Sequence, residues 1–242
     1  MTAIDNLQDA TAVILAGGLG TRLRAVVADR PKILAPVHRK PFLAYLLEYL
    51  AAEGLRKAVL CVGYRSEQVM AALGKSYAGL RLAYSMEPSP LGTGGALRLA
   101  LPLADSGPVI AMNGDSFCRA PLRPLWQWHH ACRAAGTLLL TRVEDTARYG
   151  CVGRDENGQL TAFEEKGEHR GPGWISAGVY VLSRRMIQEI GGEKAVSLER
   201  EVFPRWLGRG LYGWPCETAF LDIGTPESYS MAEAFFASQE AR

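Results

Sequence analysis

Between Leu15 and Arg24 the chain reads Leu-Ala-Gly-Gly-Leu-Gly-Thr-Arg-Leu-Arg, directly after the apolar run Thr11 to Ala16. A glycine-dense turn at the end of a buried strand exposes backbone N–H groups and lets them approach an anion closely. Two phosphate-binding motifs can be tested by counting. A P-loop needs G-x-x-x-x-G-K-[ST], and no Gly-Lys-Ser/Thr stands at that spacing. A dinucleotide fingerprint needs G-x-G-x-x-G, but Leu23 occupies the place of the last glycine after Gly18 and Gly20. What remains is a phosphate cradle that supplies Arg22, with Arg24 close by, as its own charge. The plainer alternative is a tight strand-to-loop turn carrying a surface arginine.

Other chemistry-bearing residues sit where folds of this pattern gather ligands. Asp115 ends the apolar run Pro108 to Asn113, at the carboxyl end of an expected strand. Asp222 follows a second short apolar stretch and precedes Thr225-Pro226, a helix start. Taken singly, the first reads equally as a turn residue and the second as an acid before a helix. Pro31-Lys32 alone would be a solvated loop, and Glu164-Glu165-Lys166 a charged strand end. His129 and His130 are adjacent on an expected helix and cannot share a face, so they are read as surface residues.

The elements that must hold these residues follow from periodicity. Short apolar runs alternate with helical patterns, which is an α/β signature. Strands are expected at Thr11 to Ala16, Lys57 to Val62, Leu80 to Ser85, Pro108 to Asn113 and Thr137 to Val143. Helices are expected over Phe42 to Glu53, stopped by Gly54, over Ser66 to Leu73 with Ser66 as cap, over Thr93 to Leu101 and over Pro124 to Ala135. The second half becomes richer in strands, at Cys151 to Arg154, Gln159 to Glu164 and Ser176 to Leu182, with Asp155-Glu156-Asn157-Gly158 as a hairpin turn. Helices near Arg184 to Ile190 and Leu198 to Phe203, short strands around Tyr212 and Phe220, and a last helix from Pro226 through Phe236 complete the reading. No internal repeat, low-complexity stretch or linker interrupts it, so residues 1–242 are expected to form one domain.

Composition bounds the rest. The chain has 242 residues, 48% hydrophobic and 21% charged, with net charge +2, which excludes a disordered or coiled-coil protein and gives no support for nucleic-acid or membrane-surface binding. Five scattered cysteines with no C-x-x-C pair speak against disulfides or zinc and are read mostly as core fillers in a reducing compartment. The first ten residues lack the features of a signal peptide, and no apolar run is long enough to cross a bilayer. A cytoplasmic protein without membrane partners is the expectation, with homo-oligomerisation left open.

Taken together, the motifs resemble those of the sugar-1-phosphate nucleotidyltransferases. The segments, in order, are L-A-G-G-x-G-T-R-L with Pro31-Lys32, Val62-Gly63-Tyr64, Glu87 to Ala96, Asn113-Gly114-Asp115, Glu165-Lys166, Ala177-Gly178-x-Tyr180 and Asp222 to Glu227. Within that family the form T-R-L-R, the stretch from Glu165 to Ile175 and the ending F-L-D-I-G-T-P-E-S-Y are most similar to the D-glycero-D-manno-heptose 1-phosphate guanylyltransferases. The resemblance implies a Rossmann-like, mixed and mainly parallel sheet flanked by helices, the nucleotide-diphospho-sugar transferase fold, with a β-rich second half. Residues of about 11–120 would form the nucleotide-binding part and about 121–242 the part that binds sugar phosphate. No hexapeptide repeats of an appended acyltransferase follow the final helix.

The implied reaction is attack by a sugar 1-phosphate oxygen on the α-phosphate of a nucleoside triphosphate, releasing pyrophosphate. The nucleophile is already a phosphate anion, so catalysis is positioning plus charge neutralisation. The resemblance assigns Asp115 and Asp222 to Mg²⁺, and two carboxylates are a donor set that this ion commonly takes. It assigns Arg22 and Lys32, with Asp115, to catalysis at the triphosphate. Leu15, Ala16, Gly17, Gly18, Gly20, Thr21, Glu87, Gly92 and Thr93 would bind nucleotide. Asn113, Gly150, Glu165, Lys166, Ser176 and Gly178 would bind sugar phosphate. Ser176 stands where relatives commonly carry asparagine, which bears on the sugar contacts. Glu87 is matched to guanine, whose N1–H and N2–H a carboxylate accepts together; a solvated turn is the plainer reading. Alternatives are the same chemistry on mannose 1-phosphate with GTP or on an amino-sugar phosphate with UTP. A glycosyltransferase usually needs D-x-D, of which Asn113-Gly114-Asp115 has only the last aspartate. A nucleotide-sugar sensor would not need both aspartates.

Overall fold

The strand Thr11–Leu15 (β1) alternates its side chains between two apolar layers. Ala12 and Ile14 join one core and Val13 the other. The same division holds in Lys57–Val62 (β4) and Val109–Asn113 (β7), which flank it in parallel register, Thr11 opposite Lys57 and Val109. Strands buried on both faces need continuous apolar runs, and such runs are what the sequence carries there. The computed structural model describes residues 6–105, 107–164, 171–192 and 194–240.

Between β1 and β4 lie the short strands Pro36–Val37 (β2) and Lys40–Pro41 (β3), paired with each other, and the helix Phe42–Ala52 (α1). After β4 come Ser66–Leu73 (α2), Ser76–Tyr77 (β5), Leu80–Met86 (β6) and Gly92–Ala100 (α3); after β7 come Ser116–Cys118 (β8), Leu122–Ala131 (α4) and Gly136–Val143 (β9). The second half adds Val152–Arg154 (β10), Leu160–Phe163 (β11), Gly173–Leu182 (β12), Arg184–Gln188 (α5), Phe203–Trp206 (α6), Leu211–Pro215 (β13), Phe220–Asp222 (β14), Pro226–Ser230 (α7) and Ala232–Glu240 (α8). Among the described residues the main sheet runs β13-β9-β12-β7-β1-β4-β6-β5. β12 is antiparallel to both its neighbours and β5 to β6; the other pairings are parallel. The mixed, mainly parallel sheet is therefore as expected.

Helices cover both faces. On one lie α1, α2, α4 and α8, contributing Leu46, Val69, Leu125 and Phe236; on the other lie α3 and α5 with Leu97 and Met186, joined by Phe203 and Trp206. α1 is more enveloped than its single apolar stripe implied. Tyr45 and Tyr49 are buried as well, because α8 returns over it and Phe236 stacks on Tyr45 with ring centroids 3.7 Å apart. Gly54 ends α1 as expected, at a φ of 94° that suits glycine.

Several local expectations need correction. Ser66 begins α2 and does not cap it; Arg65, in the left-handed region at φ 52°, holds that position. α4 runs from Leu122 to Ala131, starting after Pro121 and ending before Arg133, which takes φ 47°. The expected helix at Leu198 is a π-helical turn, Leu198–Val202, leading into α6. The last helix is two, broken at Met231. His129 is not on the surface. It is buried with a ring nitrogen 3.0 Å from Thr137 Oγ1, since α4 packs that face against β9. Of the cysteines, all free, Cys61 and Cys118 are buried and the other three are half-buried. Among the described residues no helix is long and apolar enough to cross a membrane.

Candidate functional site

The carboxyl ends of β1, β6 and β7 open into a cavity of about 300 Å³. Its wall begins with Leu15, Ala16, Gly17, Gly18 and Leu19, the glycine-rich turn after β1. Lys32, Glu87, Gly92, Thr93, Asn113 and Asp115 complete the chemistry-bearing part of the lining. Most of the residues expected to bind nucleotide thus stand on one surface.

Glu87 leaves the end of β6 and turns into this cavity. Its Oε2 accepts the N–H of Leu91 at 3.1 Å, while Oε1 lies against Gly17, so close that a Cβ on Gly17 would stand 1.9 Å from it. Position 17 therefore admits glycine alone without moving the carboxylate. Burial raises the Glu87 carboxyl above its usual range, and the Leu91 N–H opposes that rise. The side chain is half-buried and held by these contacts.

Asp115 and Asp222 come from segments far apart in the chain. They meet because β14 pairs antiparallel with β8, Asp222 opposite Ser116, and because the Ile223 N–H donates to the Asp115 carbonyl at 2.9 Å. Lys32 forms an ion pair with Asp115 Oδ2. The Asp222 carboxyl is pushed up by burial first and by the Asp115 charge second; the Gly224 N–H, Lys32 and Arg148 pull it back. Burying a carboxylate beside another is unfavourable without a counter-charge, and hard divalent cations accept this donor set. The pair fits such an ion on those grounds, and among the described residues no group of three His, Cys, Asp or Glu side chains is placed to hold a metal.

Other expected residues are distributed differently. Gly20, in the left-handed conformation, precedes a short 3-10 turn, Thr21–Leu23, where Thr21 and Arg22 are exposed outside the cavity lining. Gly178, at φ 73°, presses on Asn113 and Ser116, and a Cβ there would lie 2.8 Å from a polar atom of each. Gly150 and Ser176 line a separate cavity of about 80 Å³, with Tyr149, Phe163, Glu164, Glu199 and Arg200. Thr93 lines the first cavity, but its Oγ1 accepts the Leu198 N–H at 2.8 Å. Glu165 and Lys166 lie outside the described residues.

Sequence reasoning missed two groups that the fold brings in. Arg148 points a guanidinium at Thr225 Oγ1, 3.5 Å away, beside Asp222. Glu199 accepts the Tyr180 hydroxyl at 3.0 Å. Neither carries a local signature; the apolar environment of Tyr180, between two strand neighbours, was the available hint.

A glycine-lined cavity at the ends of parallel strands, with Lys32 and Asp115 in its lining and Asp222 beside Asp115, is suited to a phosphorylated nucleotide. The chain belongs to the nucleotidyl transferase family, whose pattern it matches over residues 11–239. It is 36% identical to a D-glycero-alpha-D-manno-heptose 1-phosphate guanylyltransferase of Aneurinibacillus thermoaerophilus, over 92% of this chain and 96% of the relative. It is 38% identical to a mannose-1-phosphate guanylyltransferase of Mycobacterium tuberculosis, again over 92% of this chain but spanning only 63% of that longer protein. The crystal structure of HddC from Yersinia pseudotuberculosis superposes with a TM-score of 0.85 at 32% identity, covering 94% of this chain and 99% of HddC. A second HddC structure, complexed with GMP-PN, superposes at 0.83.

Proposed function

We propose that the protein transfers a guanylyl group from GTP to a sugar 1-phosphate, D-glycero-D-manno-heptose 1-phosphate being the preferred acceptor, and releases pyrophosphate. The observation that carries this reading is the convergence of Asp222 on Asp115, which with Lys32 lines the glycine-rich cavity. The full-length match to a heptose 1-phosphate guanylyltransferase favours the heptose over mannose, whose relative is matched over only part of its length. Residues of about 11–120 then serve the nucleotide and about 121–242 the sugar phosphate, in one domain, in the cytoplasm, where both substrates would be made.

Each group has a task set by its position. The Ala16 to Gly18 backbone lies close to the nucleotide, because these residues put no bulky side chain in the way. The Glu87 carboxylate, held by Leu91, faces the cavity with lone pairs free to accept guanine N1–H and N2–H. Adenine would present an acceptor at N1 to the same carboxylate and lose that pair. Lys32 neutralises charge at the triphosphate, with Arg22 reaching in from the exposed turn; Lys166 receives the sugar phosphate and Glu165 accepts hydrogen bonds from sugar hydroxyls. Asp115 and Asp222 would hold Mg²⁺, which supplies positive charge against the phosphate oxygens. No general base is needed, since the sugar phosphate oxygen is already anionic at neutral pH.

The test is pyrophosphate release from GTP, ATP, UTP and dTTP, each paired with heptose, mannose and N-acetylglucosamine 1-phosphates. The highest kcat/KM is expected for GTP with heptose 1-phosphate. Preference for UTP, or release independent of any sugar 1-phosphate, would overturn the proposal.

A further inference from the structure

Where β9 and β13 begin and β12 ends, the molecule carries arginines that the reading above does not use. Arg133, Arg185 and Arg209 line an open cleft of about 410 Å³ there, with Ser183, Trp206 and Gly210. A volume of that size is in the range of small-molecule sites. Ser183 stands just past the end of β12 and Ser176, in the smaller cavity, near its start. Along an extended strand they are about 20 Å apart, so the cleft is separate from both cavities described above.

The three guanidiniums come from three elements that the backbone ties together. The Ala135 N–H donates to the Gly210 carbonyl at 2.9 Å and the Ser183 N–H to the Ala135 carbonyl at 2.8 Å. These bonds join the end of α4, the start of α5 and the turn before β13. Arg209 lies over the Trp206 ring, 4.3 Å from its centroid, and donates from Nη2 to Glu189 Oε2 at 3.1 Å. Arg185 Nε donates to Oε1 of the same carboxylate at 3.1 Å. One acid thus orients two guanidiniums, and each spends one of five N–H donors on it. Arg133 takes φ 47° at the end of α4, a conformation that glycine commonly supplies there. Among the described residues no hydrogen bond or ion pair holds its guanidinium, and Glu189 is the carboxylate paired in this cluster. Positive charge is therefore in excess in a concave, braced setting.

We propose that this cleft is an anion site for a diphosphate group, carried by free pyrophosphate or by a nucleotide. Guanidinium forks pair with phosphate oxygens two at a time, and three forks around one cleft answer an anion with more oxygens than a single phosphate offers. The flat Arg209 group, backed by Trp206, presents its donors already oriented, so little freedom is lost on binding.

Equilibrium dialysis of labelled pyrophosphate in EDTA, at about 0.15 M salt, tests the site, with thermal melting of each variant. The wild type should bind. Arg133→Gly should weaken binding by about 10- to 100-fold, the loss of a charge-assisted contact. Its melting temperature should not fall, because glycine takes the left-handed conformation freely. Arg209→Ala should weaken binding by a similar factor. Arg123→Ala, which removes an exposed arginine of α4 outside the cleft, should stay within about twofold. A wild type that binds no pyrophosphate overturns the proposal. So does affinity kept in Arg133→Gly and Arg209→Ala but lost in Lys32→Ala, which places the anion in the first cavity. Equal losses in all the arginine variants, Arg123→Ala included, mark diffuse charge attraction and overturn it too. GDP as competitor separates the two sources. Displacement of the Arg133-dependent fraction supports a nucleotide's diphosphate, and its retention supports free pyrophosphate. The measurement uses neither metal nor sugar 1-phosphate, so its failure leaves the guanylyltransferase reading intact.

Discussion

The two cavities are built in opposite ways. The larger one lies at the carboxyl ends of parallel strands, and most of its wall consists of residues at or soon after the ends of β1, β6 and β7, joined by Lys32 and Ile33. The smaller one is walled by β10, β11, β12 and the turn before α6, segments spread over the second half of the chain. In the first, a strand's end fixes where the next residues go, so chemistry is encoded in short contiguous stretches. In the second, each residue depends on which strands happen to pair.

The largest effects should come where the two parts meet. Asp115→Ala and Asp222→Ala are each expected to lower turnover by about 10²-fold or more, comparable with loss of a principal transition-state stabiliser. Activity should vanish in EDTA and return with added Mg²⁺. Near-normal turnover by Asp222→Ala at saturating metal would separate β14 from the chemistry. Asp222→Asn should instead raise the melting temperature of the metal-free protein, because it removes a buried charge beside Asp115.

A sharper division comes from Lys32, Arg22 and Lys166. Lys32→Ala should cost more turnover than Arg22→Ala, because Lys32 lines the cavity and pairs with Asp115 whereas Arg22 lies exposed on its 3-10 turn. Lys166→Ala should chiefly raise KM for the sugar 1-phosphate. Steady-state kinetics with each substrate varied in turn would show it, and matching defects toward both substrates would erase the distinction between the two halves.

Glu87→Gln tests the contiguous wall alone. Gln presents only one acceptor to guanine's two donors, so kcat/KM for GTP should fall by about 10- to 100-fold while values for UTP change little. An unchanged order of triphosphates would return base reading to backbone groups near Ala16 and Gly17.

The smallest effect at neutral pH concerns stability and involves neither cavity. Burial, with His130 as a lesser influence, lowers the His129 pKa to about 4 from an ordinary 6.5. The unfolded chain therefore binds a proton at His129 between those values while the folded chain does not. Stability is present above about pH 6.5 and is lost as pH falls toward 4, by about 2 kcal/mol at pH 5. Urea unfolding at pH 7, 6 and 5 should show this slope in the wild type and a flatter one in His129→Gln.

The sequence by itself determined the parallel half and most of the larger cavity. β1, β4 and β7 are apolar on both faces, which leaves no other way to bury them, and Gly17, Asn113 and Asp115 stand at or just after the ends of β1 and β7. Only the tertiary structure decided that Asp222 would reach Asp115, since that depends on the three-residue pairing of β14 with β8, too short to leave a periodic trace. It also decided that His129 is buried against Thr137 although helical spacing placed it outside, and that Tyr180 aims its hydroxyl at Glu199. Hydrophobic period records which face of an element is buried against its own sheet. It does not record which distant segment arrives to cover the other face, because that choice is made by the packing of whole layers.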